Sequence, residues 1–254
     1  MISKSQTKML RQLESKKHRQ ALQRFVAEGP KVVGDLMATS EPLLVVATEA
    51  WFASHGRRLR CDTAVVSDDE LRRISFLQHP QQVLAVFPLP SYDRCEEAGT
   101  LISSRLCLAL DGVQDPGNVG TIIRIADWFG ISHIFCSPDT ADAYSPKVVQ
   151  ATMGSIARVR LTYTPLPPLI DSLPAGTPVY GTLLDGDDLY STALTPAGLL
   201  VMGNEGNGLS AEVTARVTHR LLIPPYPPGH ATADSLNVAI ATAICCAEMR
   251  RRMK

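Results

Sequence analysis

The sequence of 254 residues lacks a long apolar run, a C-x-x-C pair and an excess of charge of either sign. A membrane span requires about 20 consecutive apolar residues, and the first residues lack a signal-peptide pattern, so we expect a cytoplasmic protein. The six cysteines are dispersed and the histidines have no ligand spacing, so we expect reduced thiols and no metal site. Basic and acidic residues number 25 each, which by itself disfavours a nucleic-acid-binding protein.

The charges are nevertheless distributed unevenly along the chain. Residues 1–31 hold eight basic and two acidic side chains, and the last seven residues hold four basic and one acidic. The two ends therefore carry +6 and +3, which leaves −9 for the residues between them because the total is zero. Basic ends are typical both of solvated helix faces and of surfaces that bind phosphates.

Helical and apolar segments alternate in the first part of the chain. Residues 4–36 are rich in helix formers and are interrupted at 28–30. Predicted strands follow at 43–47, 64–66 and 83–87, and predicted helices at 49–60 and 68–77. This alternation predicts a small α/β sandwich, which a segment rich in proline and charge near 88–104 separates from the rest.

A second alternating pattern begins at residue 106. Predicted strands lie at 106–111, 133–137, 178–184, 199–202 and 220–223, and predicted helices at 118–129, at 145–159 and after Ser210. Asp234 or Ser235 is predicted to cap a last helix, with Leu236, Ile240, Ile244 and Ala247 on one face. Such a pattern predicts a mostly parallel sheet that binds ligands at the carboxyl ends of its strands.

Three loops that follow predicted strands carry unusual residues. The first, at 111–120, is rich in glycine and leads into a helix, which suits an anion, although it is neither a dinucleotide fingerprint nor a P-loop. Arg124 in that helix is compatible with a surface salt bridge or with a ligand contact. The second loop places Glu205 among three glycines, which permit close approach of the backbone to a ligand. The third loop contains four prolines, followed by Ser235 and Asn237. These two residues are interpreted either as helix caps or as site residues.

These loops resemble the three ordered motifs of the SpoU (TrmH-type) RNA 2′-O-methyltransferases, which belong to the SPOUT superfamily. The similar segments are 118–124 (NVGTIIR), 202–208 (MGNEGNG) and 223–238, which ends in SLNV. Residues 25–31 and 78–85 resemble the substrate-binding domain of that family, which is related to ribosomal protein L30e. The sequence departs from the family at 224–230, where a proline-rich segment replaces a short spacer.

The resemblance implies an α/β fold with two domains. An L30e-like α/β sandwich would occupy residues 1–95, a linker 96–105, and a SPOUT methyltransferase domain 106–254. The second domain would have a parallel sheet and a deep C-terminal trefoil knot, an exception to the usual absence of threaded connections. The family further implies a homodimer in which the site is completed across the interface.

The resemblance also implies S-adenosylmethionine as cofactor and RNA as substrate. The implied catalytic residues are Asn118, Arg124, Glu205, Ser235 and Asn237. The implied cofactor-binding residues are Thr182, Leu183, Gly203, Asn204, Gly208, Ile223 and Leu236, largely through main chain. On the RNA-reading half, the basic residues expected to contact phosphates are Lys16, Lys17, Arg19, Arg24 and Lys31.

The implied reaction is an attack of a ribose 2′-hydroxyl on the sulfonium methyl group. The family account gives the role of base to the first-motif arginine, here Arg124. Because a free guanidinium has a pKa of about 12.5 or more, we expect Arg124 instead to bind the phosphate beside the target ribose. Asn118 and Glu205, the latter from either chain of the dimer, would hold Arg124. Ser235 and Asn237 would meet the same phosphate or support the loop, and His230 is a rival base.

Other functions remain open from the sequence. Ribosomal RNA is favoured over tRNA because of the attached RNA-reading domain. A non-catalytic RNA-binding protein with a decayed methyltransferase half is an alternative, which the intact motif residues disfavour. A nucleotide-dependent enzyme built on the loop around Gly117 is a third possibility, disfavoured by the missing Lys-Ser/Thr pair.

Overall fold

The computed structural model of the protein describes residues 2–56, 59–90, 98–227 and 233–253. In chain order the helices are α1 (Lys4–Gln12), α2 (Lys16–Leu22), α3 (Pro30–Met37), α4 (Glu49–His55), α5 (Asp68–Ile74), α6 (Ala98–Ser104), α7 (Pro116–Trp128), α8 (Pro146–Ala151), α9 (Leu166–Asp171), α10 (Ala211–Thr214) and α11 (Val238–Arg251). The strands are β1 (Arg24–Glu28), β2 (Leu44–Ala47), β3 (Asp62–Val65), β4 (Val83–Pro88), β5 (Leu106–Leu110), β6 (His133–Cys136), β7 (Arg160–Tyr163), β8 (Val179–Asp188), β9 (Gly198–Met202) and β10 (His219–Leu222). No helix within these described ranges is both long and apolar enough to cross a membrane.

The described residues divide into two compact units. The first contains residues up to 90 together with Asp142–Ala157, and the second contains 98–141 and the chain from Arg158 onward. Helix α6 occupies most of the segment predicted as a linker at 96–105 and buries Ile102 in the core of the second unit. The predicted domain boundaries stay a prediction.

The first unit is built on a four-stranded sheet in the order β1-β4-β2-β3. Strand β4 is antiparallel to both β1 and β2, whereas β2 and β3 are parallel. Strand β1 was not expected, since its residues lie in a stretch predicted to be helical. Phe25, Val26 and Ala27 pair with β4 and are almost completely buried, so burial in the sheet outweighs the local preference for helix.

The second unit contains a six-stranded sheet in the order β10-β8-β9-β5-β6-β7, in which every pair is parallel. The predicted α/β class with a parallel sheet is thereby confirmed. Strand β7 is an addition to the predicted set. The helix predicted at 145–159 is wrong beyond Ala151, because Met153 and Gly154 adopt positive φ angles that end it.

Strand β8 is interrupted where it pairs with β10. Gly181 lies opposite Arg220, but the next residue of β10, Leu221, lies opposite Asp187, so residues 182–186 arch out of the ladder. At the end of this arch a Cβ on Gly186 would lie 2.7 Å from the carbonyl carbon of Leu221, so only glycine fits there. The arch puts 182–186 on the edge of the sheet where the motif loops begin.

The last helix begins later than predicted. Asn237 is its cap, since its Oδ1 accepts from the amides of Ala239 (3.0 Å) and Ile240 (3.3 Å), so the predicted caps Asp234 and Ser235 are wrong. Helix α11 packs on α7, and Leu236 lies before its first turn. Ile240, Ile244 and Ala247 share a face as predicted, but it is the less buried face, with Ile240 53% exposed.

Candidate active site

The three motif loops begin at the same edge of the sheet in the second unit. They follow β5, β9 and β10, and the carboxyl ends of these parallel strands lie on one side. The loop after β5 ends in Asp115, which caps α7 by accepting the amide of Asn118 at 2.8 Å. This places the polar end of α7 beside the loop after β9.

Asn118 joins the three loops through its side-chain amide. Its Nδ2 donates to Glu205 Oε1 at 2.8 Å, and its Oδ1 accepts from Asn237 Nδ2 at 2.9 Å. The predicted site residues Asn118, Glu205 and Asn237 are therefore brought together within one chain. We call these three residues the amide junction.

Arg124 and Ser235 are not brought into the amide junction. Both side chains are exposed, and neither has a hydrogen bond or an ion pair to another of the described residues. The expectation that Asn118 and Glu205 hold Arg124 is not met in the single chain, where they bind each other. The Arg124 guanidinium is thus accessible to an anionic ligand.

The loop after β9 is shaped by Asn204, which the sequence placed among the cofactor ligands. Its Oδ1 accepts from the amides of Gly206 (2.9 Å) and Asn207 (3.1 Å), and its Nδ2 donates to the carbonyl of Gly112 at 2.7 Å. Its main chain pairs in both directions with Gly208, at 2.8 and 2.9 Å. The side chain of Asn204 therefore holds the loop in shape and ties it to the loop after β5.

Two residues that the sequence analysis did not select support the same loops. Asp111 is buried, and its Oδ2 accepts the amide of Ser210 at 2.7 Å. Ser137 is also buried, and its Oγ accepts the amide of Gly112 at 2.8 Å. Each is a polar residue that directly follows an apolar strand, and this is the signal by which they could have been selected.

The predicted cofactor residues lie in the arch of β8 (Thr182, Leu183), in the loop after β9 (Gly203, Asn204, Gly208), directly after β10 (Ile223) and before α11 (Leu236). Strands β8, β9 and β10 are neighbours in the sheet. Thr182, Leu183 and Ile223 are half-buried, Gly208 is exposed, and Leu236 is 50% exposed. At Gly203 a Cβ would lie 2.5 Å from the amide nitrogen of Leu209, so the main chain of this loop closes on itself. Open apolar side chains beside a loop of bare main chain suit a ligand with apolar and hydrogen-bonding parts, and S-adenosylmethionine has both.

The predicted phosphate-binding residues all lie in the first unit. Lys16 and Lys17 are exposed on α2, Arg24 is half-buried at the start of β1, and Lys31 lies 3.3 Å from Asp35. Arg19 differs, because it is only 3% exposed and donates to the carbonyls of Leu13 and Glu14 at 2.7 and 2.6 Å. It also forms an ion pair with Asp142, so its guanidinium is bound inside the protein and we leave it out of the phosphate-binding set.

The basic C-terminal end is likewise used inside the second unit. Arg250 donates to the carbonyl of Phe129 at 2.8 Å, and Arg252 donates to the carbonyl of Thr192 at 2.5 Å. Arg251 and Arg252 both bind the carboxylate of Glu248. Hydrogen bonds, first from Arg251 and then from Arg252, lower the pKa of Glu248 to about 2. These arginines therefore stabilise the end of α11 and are not available to phosphates as the charge distribution suggested.

The remaining candidate groups do not join the amide junction. Burial raises the pKa of the Cys136, Cys245 and Cys246 thiols to about 12, so these cysteines are unreactive core residues. His230, the rival base, lies outside the described residues. Within the described part of the chain, no group of three or more His, Cys, Asp or Glu is placed to hold a metal ion.

The chain was compared with known proteins. Residues 105–247 match the SpoU rRNA Methylase family, and residues 4–85 match the MRM3-like substrate binding domain. The chain is 32% identical over 245 residues to the 23S rRNA (guanosine(2553)-2′-O)-methyltransferase RlmP of Bacillus subtilis (strain 168), with 94% of each chain covered.

Several solved structures resemble the whole chain. A protein of the TrmH family from Porphyromonas gingivalis has a TM-score of 0.88 and 42% identity over 99% of both chains. The AdoMet-bound rRNA methyltransferase from Sinorhizobium meliloti has a TM-score of 0.83 and 30% identity, and the match covers 100% of this chain and 98% of that one. With more than half of its residues matched by the family model, and with the motif residues joined at one edge of its sheet, this chain belongs to the SpoU rRNA methylase family.

Proposed function

We propose that this protein transfers the methyl group of S-adenosylmethionine to a ribose 2′-hydroxyl of ribosomal RNA, and does so in the cytoplasm. The observation that carries the proposal is the amide junction, in which residues of all three motif loops are bound to one another. The relative that matches nearly the whole chain is named a 23S rRNA 2′-O-methyltransferase. A structure titled for 2-OH methylation of C/U34 on tRNA covers only 59% of this chain, which favours ribosomal RNA over tRNA.

The cofactor would be held by the loops at the ends of β8, β9 and β10. Gly203 and Ile223 would offer main-chain groups, and Leu183 and Leu236 would offer apolar contact. When bound, S-adenosylmethionine supplies a methyl group that its sulfonium charge already activates. The main task of the protein is therefore to position the two reactants. Positioning is the largest contribution that a rigid set of loops can make to the rate of the reaction.

Arg124 would bind the phosphate beside the target ribose and so orient the 2′-hydroxyl. Its exposed guanidinium has a planar pair of donors that matches phosphate oxygens, and a guanidinium is too weak an acid to serve readily as a base. Asn118 holds the carboxylate of Glu205 next to the start of α7, and Asn237 in turn holds the side chain of Asn118. In this arrangement the carboxylate of Glu205 places a negative charge beside the start of α7, and Arg124 sets the position of the substrate.

We further propose that the enzyme is a homodimer and that its C-terminal part forms a trefoil knot. The dimer is supported by the exposed apolar side chains of Leu236, just before α11, and Ile240 in its first turn, with the half-buried Ile244 on the same face. The knot is supported by the order of the strands, since β8 lies between β9 and β10 in the sheet. The loops after β9 and β10 begin at the same edge of that sheet.

Methyl transfer is tested directly with S-adenosylmethionine labelled in its methyl group. The purified protein is incubated with unmodified 23S rRNA transcripts or with tRNA, and the RNA is hydrolysed with alkali. A methylated 2′-hydroxyl blocks cleavage, so label in alkali-resistant dinucleotides from 23S rRNA is the expected result. Label on tRNA alone would contradict the substrate, and RNA binding without label would favour a non-catalytic RNA-binding protein.

The role of Arg124 is tested by Arg124→Lys with Arg105→Lys as a control at another exposed position. We expect turnover to fall at least tenfold for Arg124→Lys while S-adenosylmethionine binding is unchanged, because lysine cannot bind a phosphate through two parallel donors. Preserved turnover would contradict the bidentate contact.

The dimer is tested by Ile240→Asp, with Leu43→Asp as a control at an exposed leucine of the first unit. Light scattering should show a monomer without activity for Ile240→Asp and an active dimer for the control. An active monomeric wild-type protein would refute the dimer proposal.

A further inference from the structure

Helix α1 carries an unusual set of basic side chains. Lys4, Lys8 and Arg11 follow one another at spacings of four and three residues, which places them along one face. All three are exposed, and with Thr7 and Gln12 they line an open hollow of about 350 Å³. The opposite face buries Leu10 in the core of the first unit, so the helix is held in place beneath the basic face. We call Lys4, Lys8 and Arg11 the α1 stripe.

The charges of the α1 stripe have no partner inside the protein. None of the three donates a hydrogen bond or meets a carboxylate among the residues that the structure describes, and α1 contains no acidic residue. Lys31, by contrast, pairs with Asp35 at spacing i, i+4. Lys4 also lies at the positive end of the helix dipole, and like charges four residues apart repel. Arg11 lies in the last turn, where the helix dipole favours a cation. The fold therefore gives these three cations no carboxylate partner among the described residues, which leaves them available to an anionic ligand.

The arrangement fits a linear polyanion better than a single anion. Seven residues of helix separate Lys4 from Arg11, a rise of about 10 Å, so the three cations are strung along the axis and do not converge on one point. A stacked nucleic-acid strand presents one phosphate about every 3.4 Å of rise, so about three phosphates fall within that length. The side chain of Gln12 lies beside Arg11 and can donate to sugar or phosphate oxygens, whereas the hydroxyl of Thr7 donates to the carbonyl of Ser3 at 3.1 Å.

We propose that the α1 stripe binds the phosphate backbone of the RNA substrate. The proposal rests on the function proposed above. The sequence left the basic N-terminal end open as a solvated helix face or a phosphate surface, and the residues expected individually to contact phosphate began at Lys16; the structure singles out Lys4, Lys8 and Arg11. Helix α1 lies within residues 4–85, the part of the chain that matches a substrate binding domain. The contacts are to phosphate and therefore independent of base sequence, so they add affinity while other parts of the protein select the nucleotide.

The test compares two double variants of the full-length protein that remove equal charge. Lys8→Gln with Arg11→Gln removes two charges of the stripe, and glutamine keeps a good helix former at both positions. Arg105→Gln with Arg160→Gln removes two exposed cations at the amino ends of β5 and β7, the edge of the sheet opposite the motif loops. Binding of an unmodified 23S rRNA fragment is measured by filter binding or fluorescence anisotropy across a series of KCl concentrations, with methyl transfer measured in parallel.

Loss of two phosphate contacts should make the plot of log K against log[KCl] less steep by about 1.4 for single-stranded and about 1.8 for duplex contacts. The control pair should retain the wild-type slope, and S-adenosylmethionine affinity should be unchanged in both. An unchanged slope in the stripe variant, or an equal change of slope in the two variants, would overturn the proposal. The proposed function would still stand in that case if the wild-type enzyme transferred methyl groups. A reduced slope in the stripe variant alone supports the surface even if no methyl transfer is found, in which case only the proposed function fails.

Discussion

The most direct test of the cofactor site is the substitution Gly203→Ala. A Cβ at this position would lie 2.5 Å from the amide nitrogen of Leu209 and 2.6 Å from the carbonyl oxygen of Gly208. The carbonyl carbon of Gly208 would be closer still, and ordinary contact begins at 3.4 Å, so the two segments of main chain must separate by about 1 Å. Because all of these obstacles are backbone atoms, no rotation of a side chain can relieve the overlap. The pairing of Asn204 with Gly208 must then loosen.

The expected magnitude follows from the cost of overpacking. Inserting a methyl group into a closely packed site costs about 1–3 kcal/mol. If this strain is released by opening the cofactor loop, the affinity for S-adenosylmethionine falls by about 5- to 150-fold, since about 1.4 kcal/mol corresponds to a factor of ten. Gly206→Ala in the same loop is the matched control, because its Cβ would meet only Asn204 Oδ1, at 3.6 Å.

Isothermal titration calorimetry with S-adenosylmethionine measures the affinity, and thermal unfolding shows whether each variant is folded. We expect weakened binding in Gly203→Ala with a folded protein, and binding within about twofold of wild type in Gly206→Ala. Equal binding by both variants, or equal loss in both, would refute the view that the closed main chain at Gly203 shapes the cofactor site.

Three further outcomes are expected. Hydrogen bonds from Arg251 and Arg252 lower the pKa of Glu248 from its ordinary value of 4.5 to about 2. The ionised carboxylate therefore stabilises the folded protein above pH 4.5, and this stabilisation is lost as the pH falls towards 2. The free energy of unfolding, measured with a chemical denaturant, should depend less on pH over that range for Glu248→Gln than for the wild type. Cys245 and Cys246, whose thiols have pKa values near 12, should react with a thiol reagent at pH 8 only in denaturant, whereas the half-buried Cys61 is free to react in the native protein. Peptide mapping that finds Cys245 or Cys246 rapidly labelled in the native protein would contradict their burial. Asn204→Ala should lower kcat more than Asn204→Asp, which keeps the acceptor for two loop amides, and equal kcat values would show that the loop does not need its Asx turn.

Much of the second unit could be predicted from the sequence because its strands are short, continuous apolar runs. Such runs are typical of parallel strands buried on both faces, and the loops that follow them meet at one edge of the sheet. The resemblance to the family motifs singled out Asn118, Glu205 and Asn237 in these loops, and the structure joins the three residues with hydrogen bonds. Strand β1 could not be found in this way, because its residues have no local preference that distinguishes them from the helices on either side.

The sequence by itself determined the family, the parallel α/β architecture and the three loops that carry the family motifs, since periodicity and motif order are properties of neighbouring residues. Only the tertiary structure decided what individual charges do. Arg19 and Arg252 look like surface cations in the sequence, yet Asp142 and the carbonyl of Thr192 bind them within the protein. Lys8 has no such partner in the described chain. A buried charge is stable only with partners distant along the chain, and folding alone brings those partners together.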